Sequence, residues 1–259
     1  MKQSPSLARP GHWIHQMEGF GTVLLLALVP ALGTFCGGLI AEFVRVTPLA
    51  ISKALHGAAG IVIAVVAVEL MPEAVGIVRG SVFALAFLLG AIFYLAIEWV
   101  IERLQRSIGV STSTGMWMVY VAVAMDLFSD GLLIGTGSSV STSLALVLAL
   151  GQTIADVPEG FAAISNFKAK QVPRGKRLLL SASFAIPVLL ASGIGYWLLR
   201  DQSQESKLSA LVFVAGLICV AAVEEMITQA HETVEDTRLS VLAFAGGFAL
   251  FALVSSYFG

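Results

Sequence analysis

Eight apolar runs of roughly 20 residues or more follow one another along the chain, and they limit its possible folds more than any other feature. A run of this length can cross the hydrocarbon core of a bilayer as a single α-helix, because that core is about 30 Å thick. The predicted spans cover residues 20–43, 52–74, 80–100, 115–138, 141–167, 178–199, 208–231 and 239–258. Short connections join them, which favours one compact bundle of membrane helices.

The composition agrees with a lipid environment. Of 259 residues, 57% are hydrophobic and 12% are charged, and the mean hydropathy is +0.89. The net charge of −2, without a basic domain or arm, argues against a nucleic-acid partner. We predict an all-α integral membrane protein with an internal repeat. Residues 1–19 form a polar lead-in, and residues 20–259 form a single eight-helix transmembrane transporter domain.

Lysine and arginine are distributed unequally between the two sides of such a bundle. Five lie on the side that holds both termini: Lys2, Arg9, Arg79, Arg200 and Lys207. Ten lie on the opposite side: Arg45, Lys53, Arg103, Arg106, Lys168, Lys170, Arg174, Lys176, Arg177 and Arg238. Because cytoplasmic loops carry an excess of these residues, we predict a multi-pass plasma-membrane protein whose termini are both extracytoplasmic.

Two acidic motifs interrupt the fourth and fifth runs. They are MDLFSDG at residues 125–131 and ADVPEG at residues 155–160. Each motif places two acids on one helix face: Asp126 with Asp130, and Asp156 with Glu159. A charged side chain at the bilayer centre costs about 2.5–3.5 kcal/mol. Every basic residue falls at a helix end or in a loop, so none is placed to pair with these acids.

Three states would remove this cost, and the sequence leaves all three open. The acids could be protonated, could line a cavity filled with water, or could bind a cation. Pro158 lacks the N–H that would bond the carbonyl of Ile154, so we predict a break or kink in the fifth helix there. The freed carbonyl would add another oxygen beside the acids.

The motifs also match each other in pairs. Asp130–Gly131 aligns with Glu159–Gly160, and AVELMPEA (67–74) aligns with VEEMITQA (223–230), which places Glu69 on Glu225. Matched broken motifs in neighbouring helices are typical of transporters built from inverted repeats. We therefore expect the second and seventh helices to contribute Glu69, Glu224 and Glu225 to the site.

At these motifs the chain resembles the ZIP family of divalent-metal transporters (zinc- and iron-regulated transporter-like proteins). Those are eight-helix proteins whose termini are outside and whose fourth and fifth helices carry His-Asn-x-Pro-Glu-Gly and a close variant. ADVPEG matches the variant at Asp156, Pro158, Glu159 and Gly160. DLFSDG matches the first pattern loosely, with Asp126, Leu127, Ser129 and Asp130 in place of His, Asn, Pro and Glu. ELMPEA and VEEMITQAHE are similar to the family's ELLPEA and EELIPEAHE.

The resemblance implies import of a divalent metal ion, such as zinc, manganese or iron, as substrate, with no resident cofactor. One metal position would use Asp126, Asp130 and Glu159. The other would use Asp130, Asp156 and Glu159, with Glu225 from the seventh helix. Because histidine and asparagine are missing at 126 and 127, the donors are oxygens, which suit harder ions such as Mn²⁺, Mg²⁺ or Fe²⁺.

The histidines give weaker signals. His12 and His15 lie in the lead-in and either collect metal or are simply solvated. His56, one turn into the second helix, either packs or caps there or acts as an accessory ligand. His231, at the acidic end of the seventh helix, is either a solvated helix end or part of an exit relay.

Rival functions use the same acids. A membrane aspartyl protease or a Mg²⁺-dependent phosphotransferase would require motifs that the chain lacks, so we expect no enzyme. A secondary transporter coupled to protons or sodium, without a transition metal, remains the main alternative. A homodimer through the outer helices is compatible with either transporter.

Overall fold

The computed structural model describes residues 11–45, 47–108, 112–231 and 238–258, with side chains described outside 11–18 and 105–115. These residues form eight long helices that are apolar enough to cross a membrane, which confirms the predicted all-α bundle. The helices are α1 Gly11–Phe43, α2 Pro48–Ala74, α3 Gly80–Ile108, α4 Thr112–Val140, α5 Thr142–Ala169, α6 Arg174–Leu199, α7 Gln204–His231 and α8 Arg238–Phe258.

Several helices begin before their apolar run because a polar side chain caps them. The Thr47 hydroxyl accepts the N–H of Ala50 at the start of α2, and the Ser203 hydroxyl accepts that of Ser206 at the start of α7. Both helices consequently start four residues earlier than predicted. Helix α1 begins at Gly11, inside the predicted lead-in, and residues 1–10 lie outside the described part of the chain.

The bundle is built from four closely packed helix pairs: α1 with α5, α4 with α6, α2 with α8, and α3 with α7. The pairs are converted into one another by four exchanges. These are α1 with α6, α2 with α7, α3 with α8 and α4 with α5. The first three helices (α1–α3) and the last three (α6–α8) are therefore equivalent units. Helix α4 is likewise equivalent to α5. This is the internal repeat expected from the sequence.

Glycines at equivalent positions bring the paired backbones together. A Cβ on Gly60 of α2 would overlap the carbonyl of Phe244 in α8, and a Cβ on Gly216 of α7 would overlap that of Phe87 in α3. Gly216 follows Gly60 by 156 positions, and Phe244 follows Phe87 by 157. Only glycine permits this backbone approach, so the same close helix contact occurs once in each repeat.

Two helices contain a π-helical turn that the sequence analysis did not predict. The turns cover Val65–Leu70 in α2 and Ala222–Ile227 in α7, and they carry Glu69 and Glu225. Pro72 follows the first turn, whereas Thr228 occupies the matching place in α7, so a proline is not required for this geometry. Single π-turns inside α-helices are frequent at functional sites.

The outer helices of the bundle are α3 and α8, which are equivalent in the repeat and the least buried. Their exposed side chains are largely apolar, such as Leu85 and Leu89 in α3 and Leu242 in α8. Helices α2, α5 and α7 are the most buried. Lipid therefore meets α3 and α8, and the acidic motifs of α4 and α5 lie inside the bundle.

Candidate functional site

Three aspartates form the centre of the site. Asp126 and Asp130 come from α4 and Asp156 comes from α5, and one carboxylate oxygen of each lies within 4.8 Å of the others. Asp130 and Asp156 have no exposed surface, and Asp126 is 5% exposed. Glu159 of α5 joins them and is also 5% exposed. We call these four residues the carboxylate cluster.

The carboxylate cluster has two layers because α4 and α5 run in opposite directions. Asp126 meets Glu159, and Asp130 meets Asp156, each pair close enough to share a proton between its carboxyl groups. The layers are four residues apart in α4 and three apart in α5, which is a rise of about 4.5 to 6 Å. The spacing predicted from the two motifs therefore produces one group of facing acids.

Uncharged hydrogen-bond donors contact only some of the carboxylate oxygens of the cluster. The Gln152 side-chain amide donates to Asp130 Oδ1. The Thr34 hydroxyl of α1 lies 3.2 Å from the Pro30 carbonyl and 3.5 Å from Asp156 Oδ2, so its single proton is shared. One oxygen of each of the four acids is buried and accepts no hydrogen bond from the described residues, and Gln152 Oε1 is in the same state.

Among the described residues, no basic side chain forms an ion pair with the carboxylate cluster. The ion pairs among the described residues join Arg174 and Arg177 to Glu42, and Arg200 to Asp201, all near helix ends. Four acids facing one another in a buried site repel one another unless protons or a cation neutralise them. Such an arrangement of unpaired oxygens is suited to hold a positively charged ligand.

Glu225 lies beside the carboxylate cluster but is not part of the three-aspartate centre. It is close enough to Asp126 and Glu159 for their charges to interact. The hydroxyl of Tyr94, in α3, donates to its Oε1 at 2.5 Å. Glu225, which the sequence analysis predicted as a ligand of the second metal position, thus lies beside the carboxylate cluster with one oxygen accepting a tyrosine proton.

A cavity of about 460 Å³ connects this region to one face of the bundle. Five glutamates line it: Glu98, Glu102, Glu159, Glu224 and Glu225. Lys170 is at its rim, on the side that the lysine and arginine distribution predicts to be cytoplasmic. A cation in the cavity would therefore reach Glu159 and Glu225 through an acidic environment.

The other side of the carboxylate cluster is closed by packed apolar side chains. Leu133, Ile134 and Leu148 are fully buried one to two turns beyond Asp130 and Asp156. Val65 and Phe251 from α2 and α8 complete the same region. Access to the cluster is therefore one-sided in this conformation.

The remaining predicted ligands lie elsewhere. Glu69 accepts a hydrogen bond from Ser255 of α8. His56 is buried, its Nδ1 is 2.8 Å from the Ser52 carbonyl, and its ring contacts that of His231 at 5.2 Å between centroids. His231 Nδ1 is 2.6 Å from the Ile227 carbonyl. Neither Glu69 nor the two histidines contribute to the carboxylate cluster, and the side chains of residues 12 and 15 lie outside the described set.

A break or kink was predicted at Pro158, and the break does not occur. Helix α5 runs continuously from Thr142 to Ala169 with Pro158 inside it, because the many contacts with α1 and α4 on either side hold it together. Pro158 still leaves the Ile154 carbonyl without its N–H partner. At the matching place in α4, the Ser129 hydroxyl donates to the Met125 carbonyl at 2.9 Å.

Some residues that contact the carboxylate cluster, contact Glu225 or line the cavity were missed by the sequence analysis. Gln152 precedes Asp156 by four residues, so helical spacing alone indicates that it shares that face. Glu98 and Glu102 have the same spacing at the end of the third span. Thr34 and Tyr94 carried no such signal, since each reaches its acid from a helix that is distant in sequence.

Together the fold and the site define a multi-pass membrane helical bundle that encloses a buried carboxylate cluster. No protein-family model matches the chain, and a search of curated proteins found no match either.

Proposed function

We propose that the protein is a ZIP-type transporter that moves a divalent metal cation into the cytoplasm through the carboxylate cluster. The observation that supports this proposal is the set of three aspartate oxygens within 4.8 Å of one another, buried in a bundle that spans the membrane. A structural role does not require such a group, because a buried acid without a partner is destabilising. A transported cation supplies the missing charge.

The donor chemistry supports a hard divalent ion. The carboxylate cluster and Gln152 offer only oxygens, and five of these accept no hydrogen bond from the described residues. Oxygen ligands favour Mn²⁺, Mg²⁺ and Fe²⁺, whereas Zn²⁺ binds more strongly where imidazole or thiolate is present. We propose Mn²⁺ and Fe²⁺ as substrates ahead of Zn²⁺.

The one-sided cavity supports alternating access. In this conformation the carboxylate cluster communicates with the predicted cytoplasmic face through Glu159 and Glu225, and Leu133 and Leu148 close the other side. An equivalent cavity on the opposite face would follow from exchanging the two repeats. In this scheme an ion moves down its own gradient, or is driven by a coupled one.

The test is uptake into proteoliposomes containing the purified protein. Mn²⁺, Fe²⁺, Zn²⁺ and Mg²⁺ are supplied separately, and we expect Mn²⁺ and Fe²⁺ to enter fastest. The Asp130→Asn/Glu159→Gln variant should lose uptake. The Asp201→Asn/Glu205→Gln variant removes two charges at exposed positions and should retain it. Undiminished uptake in the first variant would refute the proposed site.

A second candidate is a proton- or sodium-coupled transporter that uses no transition metal. The facing carboxyl groups of Asp126 and Glu159 favour it, because such pairs readily share protons. Equilibrium dialysis separates the two. Stoichiometric Mn²⁺ binding that disappears in Glu159→Ala supports metal transport, whereas sodium-dependent uptake of another solute without metal binding supports the second candidate.

A further inference from the structure

We propose that Tyr94 is a positioning residue that sets how tightly Glu225 holds a cation on its way from the carboxylate cluster to the cavity. This inference rests on the proposed transport function. It concerns a side chain of α3 that belongs to neither acidic motif. It predicts that the tyrosine hydroxyl speeds release of the cation by occupying one of the two Glu225 oxygens.

The bond between the two side chains is short and fixed. Tyr94 is completely buried, and its hydroxyl donates to Glu225 Oε1 at 2.5 Å. Its ring is anchored because Gly90, one turn earlier, lies against the Phe213 backbone, and Gly216 of α7 lies against that of Phe87. The hydroxyl therefore meets Glu225 at a distance set by backbone packing.

Glu225 lies between the carboxylate cluster and the exit. Its charge interacts with those of Asp126 and Glu159, and its side chain lines the cavity. An ion that leaves the cluster through the cavity moves along a wall that includes Glu225. A free carboxylate can chelate a cation through both oxygens, but one oxygen of Glu225 already accepts the tyrosine proton. Glu225 thus offers the ion a single free oxygen.

The same arrangement occurs in the other repeat. Glu69 aligns with Glu225, also lies in a π-helical turn, and accepts a hydrogen bond from Ser255 of α8. Because α8 is the equivalent of α3, both repeats restrain this glutamate with a hydroxyl from the paired helix. Glu69 does not line the cavity that Glu225 lines, so only the Tyr94 bond faces the open route in this conformation.

The first test compares Tyr94→Phe with the wild type in Mn²⁺ uptake. Removing the hydroxyl should let Glu225 chelate the ion, so KM and the maximal rate should both fall by about threefold to tenfold. Tyr120→Phe is the control, because it removes a similar hydroxyl bond, 2.8 Å to Ser183 Oγ, between α4 and α6. A merely structural role for Tyr94 would lower the rate without lowering KM, and that result would overturn the proposal.

The second test asks whether Tyr94 acts through Glu225. Glu225→Gln removes the charge, and adding Tyr94→Phe in that background should produce no further change in KM. An equal change in both backgrounds would overturn the proposal even if one variant expresses poorly. Wild-type protein that takes up no divalent cation would refute the proposed function, whereas normal uptake with an unchanged KM in Tyr94→Phe refutes only this inference.

Discussion

Two groups of buried acids in this protein are neutralised in different ways. Glu42, near the end of α1, receives two hydrogen bonds from Arg177 of α6, at 2.6 Å and 2.7 Å. The side chains of Glu42 and Arg177 are 4% and 13% exposed. The carboxylate cluster between α4 and α5 is similarly buried, yet the described residues provide it with no arginine or lysine.

This difference separates an acid that joins two helices through an ion pair from acids that have no basic partner among the described residues. Glu42 pins α1 to α6 with a permanent counter-charge, so its charge is compensated in every state. The carboxylate cluster lies near the middle of α4 and α5, and one oxygen of each of its four acids accepts no hydrogen bond from the described residues. An internal arginine there would compete with any incoming cation, and the absence of one agrees with the proposed transport.

Breaking the permanent pair should have the largest effect on stability. Arg177→Gln leaves Glu42 buried, with Arg174 at 3.7 Å as its remaining partner. We expect a loss of about 3 kcal/mol in unfolding free energy, at the low end for a broken buried pair because Arg174 still compensates part of the Glu42 charge. Chemical denaturation in detergent measures it. The Glu42→Gln/Arg177→Gln double variant should recover part of the loss, and equal destabilisation in both would contradict the comparison.

Giving the carboxylate cluster its own counter-charge should abolish its function without unfolding the protein. Gln152→Lys places an ammonium group beside Asp130, in imitation of the Glu42 pair. Mn²⁺ uptake should fall by about a hundredfold, or about 2.7 kcal/mol, because the ion must displace a resident charge. Gln152→Met, similar in length but uncharged, should lose far less. Uptake that survives in the lysine variant would show that the ion binds elsewhere.

Mn²⁺ binding should stabilise the protein through the carboxylate cluster and not through the Glu42–Arg177 pair. At a free Mn²⁺ concentration of ten times Kd, binding should add about 1.4 kcal/mol to the stability of the wild type. A chelator should reverse the gain. Asp156→Asn should show no gain, whereas Arg177→Gln, although less stable, should gain as much as the wild type. Equal gains in Asp156→Asn and wild type would exclude the carboxylate cluster as the metal site.

The weakest expected effect is that of Thr34. Its proton is shared between the Pro30 carbonyl and Asp156, so Thr34→Val should change Mn²⁺ affinity by about 1 kcal/mol or less. Isothermal titration of the purified protein measures it, with Thr153→Val as control, since that hydroxyl donates at 2.6 Å to the Ala149 carbonyl. A tenfold or larger change in Thr34→Val alone would make Thr34 a direct ligand.

The sequence predicted the parts of the fold that depend on local physics. The eight spans follow from their length and hydropathy, and the placement of Asp126 and Asp130 on one face of α4 follows from helical spacing. The match of Glu69 with Glu225 indicated the repeat. Each of these signals is contained within one segment, or within two segments of similar sequence.

The rest depends on contacts between distant helices. Tyr94 and Glu225 are 131 positions apart, and Thr34 and Asp156 are 122 apart, so nothing near either residue indicates its partner. The π-turns were not predicted either. The turn in α7 contains no proline that would mark an irregular helix in the sequence. The break predicted at Pro158 does not occur, because the packing of α1 and α4 around α5 outweighs the loss of one backbone hydrogen bond.

The reciprocal glycines have a consequence for how the molecule can change over generations. A methyl group added at Gly60 would force α2 away from α8, while the matching contact between α7 and α3 stayed as it was. The distance between the paired helices would then differ between the two halves. A conformation adopted by one half could no longer be adopted by the other. Each half of the chain is thereby constrained by the equivalent half. Substitutions at Gly60 and Gly216 should therefore be tolerated only when both positions change together.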